Sequence, residues 1–230
     1  MNILISYFDP FGGKPTNNSE VIAKLIADTI DTSKVTITLC QIPTVYDKGF
    51  EVLSDCIHGL DKPADAVISL GEAGCKKLKI ETRGINRDKS YGPDNDGIER
   101  NNTTIIPNGP KSIGVTLPVD KAYCALSTEQ KKYAFISNSA GSFVCNNTTY
   151  HALDKLDLPY TFFHVPAASC TNEKRNNAIA DVAVKLIESL PTFNLLDTSI
   201  PATIGEVKDR LTGEITTCEE SFYKILKSEY

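Results

Sequence analysis

Apolar residues along this chain come in short runs whose spacing switches between two periods. Ile3-Leu4-Ile5-Ser6-Tyr7 is an apolar run of strand length, closed by the turn Asp9-Pro10-Phe11-Gly12-Gly13. Val21, Ile22, Leu25, Ile26 and Ile30 then recur at helical spacing, with Asn17, Asn18 and Ser19 as candidate N-caps. Val35, Ile37 and Leu39 alternate with Thr36, Thr38 and Cys40, the period of a half-buried strand. Phe50, Leu53, Ile57 and Leu60 mark another helix, and Ala66 to Leu70 a second buried strand stopped by Gly71. Residues 83–117 break the pattern: they are rich in Asn, Asp, Gly and Pro, and predict mostly loop with at most an edge hairpin. Val119 to Leu126 predicts a short helix, Ala134 to Ser137 a strand, Cys145 the start of a helix, and Tyr160 to Val165 a strand. Glu173 to Leu190 predicts a long helix with Ile179, Val182, Ala183, Leu186, Ile187 and Leu190 inward. From Pro191 the signal weakens, though Glu206 to Leu211 and Cys218 to Leu226 keep some helical spacing. Alternation of this kind predicts a mainly parallel sheet with helices on both faces, with ligands beyond the carboxyl ends of the strands.

Composition narrows the function classes. A chain of 230 residues holds one large α/β domain or two small ones, and a hydrophobic content of 41% is that of a globular protein. A net charge of −5 and a pI near 5.3 argue against nucleic acid or an anionic membrane as partner. No apolar run approaches the roughly 20 residues of a membrane helix. Met1 to Ser6 is too short, and lacks the basic start, for a signal peptide. The seven cysteines are odd in number and widely spaced, with no Cys-x-x-Cys pair. They read as neither a disulfide framework nor a zinc site, but as thiols of a reducing compartment, with no metal or cofactor.

The candidate chemistry lies at strand ends. Ser137-Asn138-Ser139-Ala140-Gly141-Ser142-Phe143-Val144-Cys145 reads as a strand end, a loop of small residues and a cysteine at a helix start. The free N–H groups and positive end of a helix favour thiolate over thiol, and small neighbours leave room for substrate. His164 ends the strand Tyr160 to Val165 and is the candidate base. The other two histidines, His58 and His151, sit on helices, His151 on a different face from Cys145. Glu81 is the candidate carboxylate to orient His164. The turn Phe8 to Gly13 puts two phenylalanines among turn residues and suits an apolar wall for a flat ligand. Gly71-Glu72-Ala73-Gly74 follows a buried strand, as a ligand loop would.

These segments, with Glu81-Thr82-Arg83-Gly84-Ile85-Asn86, Pro93-Asp94-Asn95, Thr116-Leu117-Pro118-Val119 and Phe163-His164-Val165-Pro166, resemble pyroglutamyl peptidase type I over about residues 3–190. The resemblance implies a single peptidase domain, residues 1–230, with a divergent tail from 191. It implies an α/β/α sandwich with a mixed, mainly parallel sheet, a cytosolic cysteine exopeptidase, and a monomer or homotetramer. It implies peptides bearing N-terminal 5-oxoproline as substrates and no metal. Carried over by position, Glu81, Cys145 and His164 are catalytic, and Phe8, Phe11, Thr44, Glu72, Phe143 and Val144 bind the lactam. The family usually has glutamine at Glu72, and arginine and an aliphatic residue at Tyr91 and Gly92. Two other readings stand beside this one: a non-catalytic binder of cyclised N-termini, and a cysteine hydrolase of another small acyl amide.

Overall fold

The computed structural model describes residues 1–192 except Lys76, so the weak helical segments Glu206 to Leu211 and Cys218 to Leu226 lie outside the described residues. The elements run β1 (Asn2–Phe8), α1 (Asn18–Thr29), β2 (Thr36–Ile42), α2 (Lys48–His58), β3 (Ala66–Glu72), β4 (Leu78–Glu81) and β5 (Arg83–Ile85). They continue β6 (Asp88–Lys89), β7 (Asn101–Thr103), β8 (Ser112–Gly114), α3 (Val119–Cys124), β9 (Ala134–Ser137), α4 (Val144–Lys155), β10 (Tyr160–Val165) and α5 (Glu173–Ser189).

One sheet of six strands, in the order β2-β1-β3-β10-β4-β9, carries the core. β2, β1, β3 and β10 are parallel, β4 runs against β10, and β9 is parallel to β4. α1, α3 and α5 cover one face, where Ile22, Ile26, Ala122, Ile179 and Ile187 pack with Ile3, Ile5, Ile68, Leu70 and Phe163. α2 and α4 cover the other, where Phe50, Leu53, Val144 and Ala152 pack with Leu4, Phe8, Val67, Tyr160 and Phe162. Burial on both faces explains why β3 and β10 have no exposed position and read as unbroken apolar runs. Each such side chain contributes about 1.5–3 kcal/mol on burial, more than the ~0.7 kcal/mol range of ordinary helix propensities, so packing selects the elements.

Local signals agree with that. Asn17 caps α1, its side chain accepting from the Ser19 N–H at 3.0 Å. Val21, placed inward by its spacing, is instead 38% exposed, because the stripe of α1 is centred on Ile22, Ala23 and Ile26. Residues 83–117 form two small antiparallel ribbons, β5 with β8 and β6 with β7, rather than a single edge hairpin.

The reading of the cysteines as unpaired thiols is corrected. Cys40 is bonded to Cys56 and Cys75 to Cys170, and Cys124 is disulfide-bonded as well. Cys145 is the one free thiol among the described residues. Sequence spacing missed these pairs because each joins elements that only the sheet brings together: Cys40 of β2 with Cys56 of α2, and the β3–β4 loop with the turn after β10.

Candidate active site

Strand register assembles the site. Gly71 of β3 lies level with His164 of β10, and His164 lies opposite Lys79 of β4. Because β4 is antiparallel to β10, its last residue, Glu81, falls opposite Phe162. That is two residues back from His164, hence on the same face. Glu81 Oε1 accepts a hydrogen bond from His164 Nδ1 at 2.7 Å, and both residues are buried. The other ring nitrogen is left free of Glu81, and the Cys145 sulfur sits against Gly71, the residue level with His164 on the neighbouring strand. Burial opposes charge on His164, but the Cys145 sulfur and the Glu81 carboxylate outweigh it, and the imidazole is pushed up to about 9. Glu81, Cys145 and His164, chosen from sequence, thus line one cavity, with Glu81 and His164 hydrogen-bonded.

Gly71, read from sequence as a strand stop and the start of a ligand loop, has a more specific place in the structure. A Cβ there would lie 2.8 Å from Cys145 Sγ and 2.7 Å from Phe162 Cζ. Only glycine lets the sulfur sit down against the sheet beside His164. A glycine inside an otherwise apolar strand was the available signal.

Cys145 is the second residue of α4, whose N-cap, Phe143, makes no side-chain capping bond. Asn146 and Asn147 N–H groups turn back to the Phe143 carbonyl at 2.9 and 3.1 Å. The N–H groups of Val144 and Cys145 precede them in the first turn, where a helix offers donors to an anion. The two asparagines fix this helix start from outside. The Asn146 side chain accepts from Ile85 N–H and donates to the Ile85 and Arg87 carbonyls. Asn147 accepts from Asp47 N–H and donates to Asp47 and Asp88.

A cavity of about 470 Å³ opens over the three residues, walled by Phe11, Phe143, Tyr91, Gly92 and Glu72. Of the predicted lactam contacts, Phe11, Glu72 and Phe143 line it. Phe8, Thr44 and Val144 do not: all are buried behind the wall. Phe8 packs on Phe162 with ring centroids 6.4 Å apart. Thr44 donates its N–H to Asp9 Oδ1 at 2.7 Å and its hydroxyl to the Asp9 carbonyl, pinning the loop that carries Phe11.

Glu72 lines the cavity with both carboxylate oxygens engaged by the protein. Its Oε1 accepts from Lys14 Nζ at 2.9 Å, and its Oε2 from the N–H groups of Asn18 and Ala168 at 2.8 and 3.2 Å. The carboxylate ties together the loop after β1, the end of β3 and the turn after β10. The loop bearing Tyr91 and Gly92 is held by Asp94, which accepts from the N–H groups of Tyr46, Asp96 and Ile98. Arg100 anchors its far end to Asp47 and Asp88 and lies over the Tyr46 ring, which meets Phe143 edge-on. His151 is buried against Phe50 and Asp47 in this support network, away from Cys145.

No group of three or more His, Cys, Asp or Glu among the described residues is placed to hold a metal ion. None of the described helices is long and apolar enough to cross a membrane.

Known proteins match both sequence and fold. The family model for pyroglutamyl peptidase matches residues 1–188. Pyrrolidone-carboxylate peptidase 1 of Caldanaerobacter subterraneus subsp. tengcongensis is 34% identical over 172 residues, 72% of this chain and 82% of that protein. The pyrrolidone-carboxylate peptidase of Streptococcus suis is 37% identical over 72% of this chain and 78% of its own. The crystal structure of Bacillus amyloliquefaciens pyroglutamyl peptidase I superposes with a TM-score of 0.73 at 25% identity, covering 84% of this chain and 97% of that one. A mutant pyrrolidone carboxyl peptidase of Pyrococcus furiosus gives 0.71 at 26% identity, covering 84% and 99%. With the matched family, the mixed α/β sheet and the cysteine–histidine–glutamate group in one place, the chain belongs to the pyroglutamyl peptidase family of cysteine exopeptidases.

Proposed function

We propose that Cys145, His164 and Glu81 hydrolyse the amide bond after an N-terminal pyroglutamyl residue, with the lactam ring seated against Phe11 and Phe143. A five-membered lactam is flat and mostly apolar, which suits aromatic walls. The Cys145 thiolate attacks the carbonyl carbon, and the developing oxyanion lies by the first-turn N–H groups of α4. His164, held as an imidazolium against Glu81, gives its proton to the leaving amine as the tetrahedral intermediate collapses to a thioester. Water then attacks the thioester with His164 as base, releasing pyroglutamate and returning the Cys145 thiolate and the His164 imidazolium. The observation that carries this is the buried Glu81–His164 bond in one cavity with the only free thiol of the described residues, whose sulfur lies against Gly71 beside His164. Cys145→Ala should abolish release of coumarin from a pyroglutamyl coumarylamide, while the unaltered protein cleaves it and leaves alanyl and prolyl analogues intact. Equal cleavage of the analogues would support a broader acyl-amide hydrolase, and binding without cleavage a non-catalytic binder.

The compartment is a separate question. The family resemblance implies the cytosol. The bonded cysteines Cys40, Cys56, Cys75, Cys170 and Cys124 favour a second reading, an oxidising compartment, since such pairs persist where thiols are not kept reduced. Non-reducing peptide mapping of the protein from its native source tests this: linked Cys75 and Cys170 peptides support it, and free thiols at both refute it.

A further inference from the structure

We propose that Lys79 recognises a carboxylate on the residue that follows pyroglutamate, making it a specificity determinant on the leaving-group side; this rests on the reaction proposed above. Strand order supplies the direction. Across the sheet, at the level of the reacting groups, stand the end of β1, then Gly71 of β3 under the Cys145 sulfur, then His164 of β10, then Lys79 of β4. Phe11 lies in the loop after β1, so the lactam wall is on one side of His164 and Lys79 is on the other. The leaving amine must lie beside His164 to receive its proton. The peptide it belongs to therefore runs from His164 toward β4.

Lys79 is placed to meet that peptide. Residues directly opposite in an antiparallel pair point to the same face, so Lys79 shares the face of His164. It lines the same cavity and is partly buried. Its Nζ lies 3.6 Å from where a Cβ of Gly74 would stand, in the β3–β4 loop at the cavity edge. It has no ion-pair partner among the described residues. The two nearby carboxylates are already engaged, Glu81 by His164 and Glu72 by Lys14, Asn18 and Ala168. An unpaired ammonium at the exit of the leaving group recognises an anion. Two sources present one there: the free α-carboxylate of a pyroglutamyl dipeptide, and an acidic side chain in a longer peptide.

The test is a set of paired rates. The first arm compares pyroglutamyl-alanine with pyroglutamyl-alaninamide, and the second pyroglutamyl-glutamyl amide with pyroglutamyl-glutaminyl amide, each on the unaltered enzyme, Lys79→Gln and Lys79→Glu. A half-exposed charge pair predicts a preference of about two- to fivefold in kcat/KM for the carboxylate member. The first arm reports a dipeptide carboxylate, the second an acidic side chain, and a preference in either supports the proposal if Lys79→Gln brings it to about one and Lys79→Glu reverses it. Ratios of one in both arms, or ratios unmoved in Lys79→Gln, overturn it. Failure of the unaltered enzyme to cleave a neutral pyroglutamyl coumarylamide overturns the reaction itself, and the inference with it.

Discussion

The three residues proposed to make the chemistry sit in environments that set testable demands. In the proposed reaction His164 gives its proton to the leaving amine; burial works against that proton, and the neighbouring Cys145 and Glu81 raise the group in spite of it. The group is raised, so the imidazolium persists below about pH 9 and is lost as pH rises through that value. kcat/KM should accordingly fall on the alkaline side near pH 9. Glu81→Gln, which removes one of the two charges that raise His164, should move that limb to lower pH; an unmoved limb would mean that Glu81 does not act on His164. His164→Ala should cost roughly 10²–10⁴-fold in turnover, the usual worth of a general acid–base group. Gly71→Ala should keep the fold yet reduce kcat by about 10²-fold, since its Cβ must push the Cys145 sulfur and the Phe162 ring aside. Circular dichroism alongside the rate separates a displaced sulfur from a lost fold. Cys145, His164 and Glu81 were legible because a helix start, a strand-end histidine and a carboxylate are local features. The close approach of Cys145 to Gly71 and the place of Lys79 were not, because they come from strands paired across the sheet, and no local pattern records which residues become level.

At the scale of elements, the sandwich itself was legible. Buried strands read as apolar runs and covering helices as stripes, so β1, β3, β9, β10, α1 and α5 fall close to where periodicity places them. Reversal of β4 was not legible: four residues, Leu78–Glu81, carry no sign of direction, yet that reversal brings Glu81 beneath His164. The ribbons within 83–117 escaped for a similar reason. Their strands are two or three residues long and are held by side chains from elsewhere, among them Asn146, Asn147, Asp94 and Arg100. Asp94→Ala tests the loop as an element of the site. It strips the acceptor from the N–H groups of Tyr46, Asp96 and Ile98. The buried Tyr46 N–H left unpaired costs about 1–3 kcal/mol, and with the other two bonds gone the loop over the cavity should lose its fixed position. KM for a pyroglutamyl substrate should rise about tenfold, with kcat changed much less. A fall in kcat alone would place Asp94 outside substrate binding.

For the whole molecule, five bonded cysteines and one free thiol among the described residues separate structure from chemistry. Cys40–Cys56 closes a span of 16 residues and Cys75–Cys170 one of 95. Chain entropy makes the longer closure worth more, roughly 4–5 against about 3 kcal/mol. Cys75→Ser/Cys170→Ser should therefore lower Tm by roughly 8–18 °C, and Cys40→Ser/Cys56→Ser by less, as read by calorimetry. The opposite order would show that strain or residual structure, not loop closure, governs these bonds. The tie between Cys75 and Cys170 also braces Glu72 and the turn after His164, so its loss should reduce activity at temperatures where the fold survives. The central claim is that the free thiol is the nucleophile of pyroglutamyl hydrolysis, and one measurement tests it most directly. The enzyme is mixed with a pyroglutamyl ester, quenched in acid during turnover and mapped by mass spectrometry. The account predicts a pyroglutamyl group on the peptide containing Cys145, accumulating at the rate of the first turnover and absent in Cys145→Ala. Turnover that proceeds with Cys145 unmodified, or the acyl group on any other residue, would contradict it.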